Sequence, residues 1–258
     1  MKKLLLSLLT FVLTSLVSPL AVAASEGIAL DRFPSERVTD LSALQNGAKL
    51  FVNYCQNCHS ANYLRYNRMR DIGLSDDQIR KNLMFAGNKV GDTMGITLDP
   101  VDAKNWLGAA PPDLSVIARS RASGAGSGAD YLYTFLRSFY RDDSTLTGWN
   151  NRAFPSTAMP HALWELQGQQ KAVFVQQKDP HDPAHTLQVF TGFEPLTAGS
   201  MTQAQYNEAI ADLVAFLQWM GEPDQGTRVR LGVFVLLCLG LFTVIAWRLN
   251  ASYWKDVK

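Results

Sequence analysis

The sequence predicts a mainly α-helical exported domain, broken by long loop insertions and held to a membrane by one C-terminal helix. Three observations predict it: an apolar leader opens the chain, a charge-free apolar run stands near its end, and between them two helical stretches are separated by segments rich in Gly and Pro. The 258 residues, 47% hydrophobic and 18% charged, suffice for one or two globular domains and are too apolar for a disordered polymer.

Met1 to Ala24 has the three zones of a secretory signal: Lys2 and Lys3, an apolar run from Leu4 to Val17, and the small-residue site Ala21-Val22-Ala23. Cleavage after Ala23 is expected. The second apolar run, Leu231 to Trp247, has 17 residues without a charge, flanked by Arg228 and Arg230 before and by Arg248, Lys255 and Lys258 after. At helical rise it covers about 26 Å, slightly short of a ~30 Å hydrocarbon core, so the arginines and Trp247 and Trp254 are expected at the interfaces. The expected division is a signal peptide over 1–23, an exported domain over 24–227, a transmembrane anchor over 228–248 and a cytoplasmic tail over 249–258. The basic tail agrees with the positive-inside tendency and places the exported domain on the periplasmic side of a bacterial inner membrane. The formal charge of +1 averages unlike parts: residues 24–227 carry 17 Lys and Arg against 22 Asp and Glu, about −5. Such a body argues against nucleic acid and suits a basic protein partner.

Within the exported part, Leu44, Ala48, Phe51 and Val52 have helical spacing, with Gly47 among them offering a place where a second helix can approach closely. A helical stretch begins near Ser75. The clearest helix lies in "MTQAQYNEAIADLVAFLQWMGEP": Thr202 and Gln205 form a capping box, Ile210, Leu213, Val214 and Leu217 one apolar stripe, and Gly221 with Pro223 a stop. The helices bearing Gly47 and Ile210 are expected to cross and close the core. Thr186 to Phe193 reads as a short hairpin piece. Gly124 to Gly128 reads as a flexible surface turn, because no strand precedes it and no G-x-G-x-x-G follows. There is no internal repeat.

The chemistry sits in "FVNYCQNCHS", residues 51–60, where Cys55, Cys58 and His59 form C-x-x-C-H. A zinc site lacks a second cysteine pair, and His161, His181 and His185 are too scattered to complete one. A thioredoxin-like dithiol wants a preceding strand, and the residues before Cys55 have helical spacing. Cys238, in the apolar run, reads as a small apolar residue. C-x-x-C-H is the attachment signature of c-type haem: Cys55 and Cys58 lie on one helical face as thioether residues, and His59 continues that face as an iron ligand. One covalent haem c is expected. A second axial ligand separates an electron carrier from an open site that binds gases or peroxide. Met159, in "FPSTAMPHALW", is favoured because Pro155 and Pro160 hold its loop out of regular helix. Met94 in "GDTMGITLDP" and a histidine stay open as alternatives. Met84 and Met220 read as core, and His181 and His185 as solvated loop residues.

With "CQNCH" near the mature start, "GAAPPDLS" at Gly108 to Ser115, "AMPHALW" after it and one span near the C-terminus, nearly all of the mature chain resembles the cytochrome c1 family. The resemblance implies a mainly α, cytochrome c type haem domain with long loop insertions plus one C-terminal transmembrane helix. It implies electron transfer from a Rieske iron-sulfur protein to a soluble or tethered c-type cytochrome, beside cytochrome b, within a dimeric quinol-oxidising complex, with no chemistry of its own beyond iron valence change. It also implies Met159 as the sulfur ligand opposite His59, and propionate contacts from Arg121 and Tyr131 in "ARSRASGAGSGADYLY". The lead-in Leu107 to Ala110 departs from the family's asparagine-rich pattern, so no propionate role is carried onto it. Pro111 and Pro112 are expected to wall the haem edge, with nearby carbonyls accepting the free N–H of His59. Two other readings remain: a tethered cytochrome c feeding a terminal oxidase, and a haem enzyme or sensor with an open axial site.

Overall fold

The computed structural model describes residues 28–178 and 186–256; the expected leader with its cleavage site and the pair His181 and His185 lie outside the described residues. In chain order the elements are a 3₁₀ turn (Ser35–Thr39), α1 (Leu41–Leu50), a π-helical turn (Phe51–Cys55), β1 (Ala61–Arg65), a 3₁₀ segment (Tyr66–Ile72), α2 (Asp76–Asn82), β2 (Thr93–Met94), α3 (Pro100–Leu107), α4 (Ile117–Ser120) and α5 (Gly128–Arg137). There follow β3 (Phe139–Arg141), β4 (Trp149–Asn151), α6 (Trp164–Gln167), β5 (Gly168–Lys178), β6 (Thr186–Ala198), α7 (Gln203–Gly221) and α8 (Gln225–Tyr253). The strands form three separate antiparallel pairs, β1–β2, β3–β4 and β5–β6, so helices and loops carry the core, as expected.

The centre of the domain is α7. The capping box read from the sequence is present: Thr202 Oγ1 accepts from Gln205 N at 3.3 Å, and Gln205 Oε1 accepts from Thr202 N at 2.9 Å. The helix stops at Gly221. Its burial is wider than the single stripe expected, since Ala211, Asp212, Ala215 and Phe216 are buried together with Ile210, Leu213, Val214 and Leu217. A helix apolar on most sides must be covered on most sides, and α1, α4, α5 and α6 cover it. The buried Asp212 is satisfied by Arg37 at 2.7 Å and by the Asn46 amide at 2.8 Å.

The expected crossing of the two helices occurs at Gly47. A Cβ on that residue would lie 2.1 Å from the Asp212 carbonyl oxygen and 2.7 Å from Phe216 Cβ, so backbone meets backbone there. The Phe51 and Phe216 rings, 5.6 Å apart, continue the contact toward the haem motif.

One loop expectation is corrected and a second, the exposed glycine-rich turn, is met with added detail. The hairpin runs over the whole of β5 and β6, from Gly168 opposite Ala198 to Lys178 opposite Thr186, because Val173, Phe174, Val175, Val189, Phe190 and Phe193 favour strand. Its base is tied to α6 by Ser200 N to the Glu165 carbonyl at 2.9 Å and Met201 N to the Leu166 carbonyl at 3.1 Å. The glycine-rich stretch is a tight turn closed between Ser123 and Gly126, and its last glycine is a packing point: a Cβ on Gly128 would lie 1.9 Å from the Ala118 carbonyl oxygen.

None of the α8 residues is buried against the rest of the chain. It is the one helix among the described residues long and apolar enough to cross a membrane. Its 29 residues span about 43 Å, so the helix continues through the charged flanks and covers the shortfall of the apolar run.

Candidate haem cleft

The haem motif begins where α1 changes pitch. Gln56 N reaches the Phe51 carbonyl at 2.9 Å, a five-residue spacing that turns the end of the helix. Cys58 N and His59 N then both return to the Cys55 carbonyl, at 3.1 and 2.9 Å. The turn directs Cys55, Cys58 and His59 into one cleft of about 340 Å³. The intervening Gln56 faces inward, donating to Tyr66 Oη at 2.8 Å and to the Gly95 carbonyl at 3.3 Å. It pins the motif from behind, a role that its place as a variable residue of the motif does not reveal.

His59 Nδ1 lies 2.7 Å from the Pro112 carbonyl oxygen. A carbonyl only accepts, so the proton sits on Nδ1 and leaves the Nε2 lone pair for a metal. Burial lowers the pKa of His59, which keeps the ring neutral as a ligand must be. The Pro111-Pro112 wall is fixed by the next residue, Asp113, which accepts from Ser60 Oγ at 2.7 Å, Asn62 N at 2.8 Å and Ser115 N at 2.8 Å. Burial works to raise the Asp113 carboxyl, but those donors outweigh it and hold it below the usual range. Asp113 thus joins the proline wall to the residues that follow His59, a link between distant segments that sequence reading missed.

Met159 lines the same cleft. Its loop is held by β4: Asn150 Oδ1 accepts from Ser156 N at 2.8 Å, and the buried Asn151 Oδ1 accepts from Ala153 N at 2.8 Å and Phe154 N at 3.2 Å. Ser156 takes φ 60°, an uncommon conformation for a residue with a side chain, and the Asn150 bond holds it there. The competing candidates lie elsewhere: Met94 is wholly buried in the core opposite Ala61, and Met69 and Met220 are core residues too. His161 is buried, stacked 4.8 Å from the Phe139 ring and 5.1 Å from Trp149, with its pKa lowered to about 4 by that burial. It does not line the cleft.

Arg121 and Tyr131 both line the cleft, with the Arg121 guanidinium carbon 5.6 Å from the Tyr131 ring centre. The tight turn and the Gly128 contact bring the ends of the long insertion together. The remaining wall is apolar, drawn from Leu132, Phe135 and Leu136 of α5 and from Leu213 and Leu217 of α7.

This set fits haem chemistry: two thiols from one helical turn, a neutral imidazole, a thioether, an apolar wall, and a cation beside a phenol for acidic edge groups. It does not fit the other uses of the motif. Burial pushes the Cys55 thiol up to about 12, whereas a redox dithiol needs a lowered one. Among the described residues no group of three or more His, Cys, Asp or Glu is placed to hold a metal ion.

The sequence pattern of the Cytochrome C1 family matches residues 35–257. The chain belongs to the cytochrome c1 family. It is 39% identical to cytochrome c1 of Allochromatium vinosum over the full length of both chains. It is 42% identical to a Nitrosomonas europaea protein named ammonia monooxygenase gamma subunit, over 97% of this chain and 99% of that one. It is 29% identical to cytochrome c1 of Rhodospirillum rubrum, over 85% of this chain and 83% of that one. As a member of this family the chain is a haem protein of respiratory electron transport, about half helical, with an apolar C-terminal helix suited to a membrane anchor.

Proposed function

We propose that the chain is a membrane-anchored monohaem cytochrome that passes electrons from a Rieske iron-sulfur protein to a c-type cytochrome, beside cytochrome b in a dimeric quinol-oxidising bc1 complex. The observation that carries it is the convergence of Cys55, Cys58, His59 and Met159 on one apolar cleft. When bound, the haem supplies a one-electron iron couple. Cys55 and Cys58 hold it covalently, His59 presents Nε2 to the iron while Pro112 fixes its ring, and Met159 supplies a thioether that favours the ferrous state. Arg121 and Tyr131 meet the propionates. The leucines and prolines exclude water, so few dipoles must reorganise when charge changes.

Gentle detergent extraction followed by identification of the accompanying subunits tests the assignment. Cytochrome b and a Rieske protein in equal amounts are expected. Recovery with a terminal oxidase, or with monooxygenase subunits as the name of the Nitrosomonas relative suggests, overturns it.

Two expectations follow from the anchor and the charge. Deleting 231–258 removes nothing from the core, so a soluble, red domain is expected in the periplasmic fraction. Retention in salt-washed membranes contradicts a single anchor. The exported body near −5 is expected to attract a basic acceptor, with electron transfer slowing as salt rises toward ~0.15 M and the Debye length falls to ~8 Å. A rate indifferent to ionic strength instead indicates a permanently tethered acceptor.

A further inference from the structure

A second cavity, of about 490 Å³, lies on another face of α5, bounded also by β4's end, the hairpin and the start of α7. Its polar lining is lopsided. The Gln170 amide donates to the Phe139 carbonyl at 2.7 Å and the Gln203 amide to Asn207 Oδ1 at 3.0 Å, so these groups are satisfied within the protein. The two guanidinium groups are satisfied only in part: Arg137 lies 4.0 Å over the Tyr133 ring, and the buried Nε atoms of Arg137 and Arg152 have no hydrogen-bond partner among the described residues. One carboxylate, Asp31, lines the cavity, and it pairs with Arg137 at 2.7 Å. Arg152 has no acidic partner among the described residues and lies 4.5 Å over the Phe190 ring.

A buried N–H without an acceptor is costly, and two cations against one carboxylate leave the cavity positive. We propose that this cavity binds a small oxyanion, a phosphate or carboxylate group, between Arg137 and Arg152. Planar guanidinium forks match such groups with paired N–H···O bonds. The position links the ligand to the haem cleft. Arg137 ends the helix that carries Tyr131, and Arg152 follows Asn151, which holds the loop leading to Met159. An occupant joins the two elements that frame the cleft.

The test is equilibrium dialysis of the full-length, haem-loaded protein in detergent against radiolabelled inorganic phosphate, with ionic strength held constant by sodium chloride. Saturable binding of about one phosphate per chain is expected, weakened about tenfold or more in Arg152→Gln by loss of a charged donor. Asp31→Asn is expected to tighten binding, because it frees Arg137 from its competing carboxylate. Unfolding cannot produce these opposite responses. Adding an anionic phospholipid separates the two sources of the group: displacement of labelled phosphate assigns the site to a lipid headgroup, and retention to the free anion. No saturable binding at on the order of 10 mM phosphate, or equal affinity in wild type and Arg152→Gln, overturns the proposal.

Discussion

Met159→Leu is expected to convert an electron carrier into a haem protein with an open iron. Leucine is close to methionine in volume and apolar, so the cleft wall and the fold should survive. The thioether is lost, and Asn150 and Asn151 still hold the loop from β4, so no other methionine is brought in; Met94 and Met69 are wholly buried in the core. The reduced protein is then expected to bind carbon monoxide and to lose the low-spin spectrum. Axial ligands set haem potentials over a range of ~0.8 V, and a fall of about 100 mV lowers the equilibrium for accepting an electron roughly fiftyfold. Quinol-dependent turnover should collapse accordingly. Met94→Leu should change neither spectrum nor potential. A Met159→Leu protein that stays low-spin, excludes carbon monoxide and turns over normally shows that the ligand is another residue.

Gly47→Ala should damage both the fold and the haem site through one methyl group. Alanine gains up to about 1 kcal/mol of helix propensity over glycine. The added Cβ, 2.1 Å from the Asp212 carbonyl oxygen, has no flexible neighbour to displace, because the obstacle is the backbone of α7. The two helices must separate, and overpacking of this kind costs about 1–3 kcal/mol or more. A net loss of roughly 2 kcal/mol lowers the melting temperature of a domain this size by roughly 4–8 °C. The damage reaches the cleft, since α1 runs into Cys55 and α7 supplies Leu213 and Leu217. Gly124→Ala, where an added Cβ meets nothing within 4 Å, serves as the control and should melt like wild type. Equal melting of the two variants means that the helices are not locked at Gly47.

The crossing at Gly47 was legible in the sequence as a small residue on a helical stripe, and the capping box of α7 as a threonine three residues before a glutamine. Both signals are local. The full length of the hairpin is not legible in the sequence, because β5 mixes glutamine and lysine among its β-forming residues and β6 carries Gln188, Glu194 and Pro195, and only the pairing of Phe174 with Phe190 and Val175 with Val189 makes the pattern consistent. In the sequence α7 presents one stripe, because its alanines and Asp212 carry no core signal of their own. They are buried because α1 and its neighbours close over them, and Arg37 and Asn46 satisfy the acid.

By itself the sequence determined what contiguous residues can specify. C-Q-N-C-H places two thiols and an imidazole within one turn, and an unbroken apolar run specifies a helix able to cross a membrane, because backbone hydrogen bonds must close internally in lipid. Only the tertiary structure decided which methionine reaches the cleft, how Arg121 meets Tyr131 across a glycine-rich insertion, and what holds the proline wall over His59. Those outcomes depend on Asn150, Asn151, Gly128 and Asp113, which act between segments distant in the chain. A thioether, a guanidinium or a carbonyl carries no mark of its destination until packing has fixed the loop that bears it.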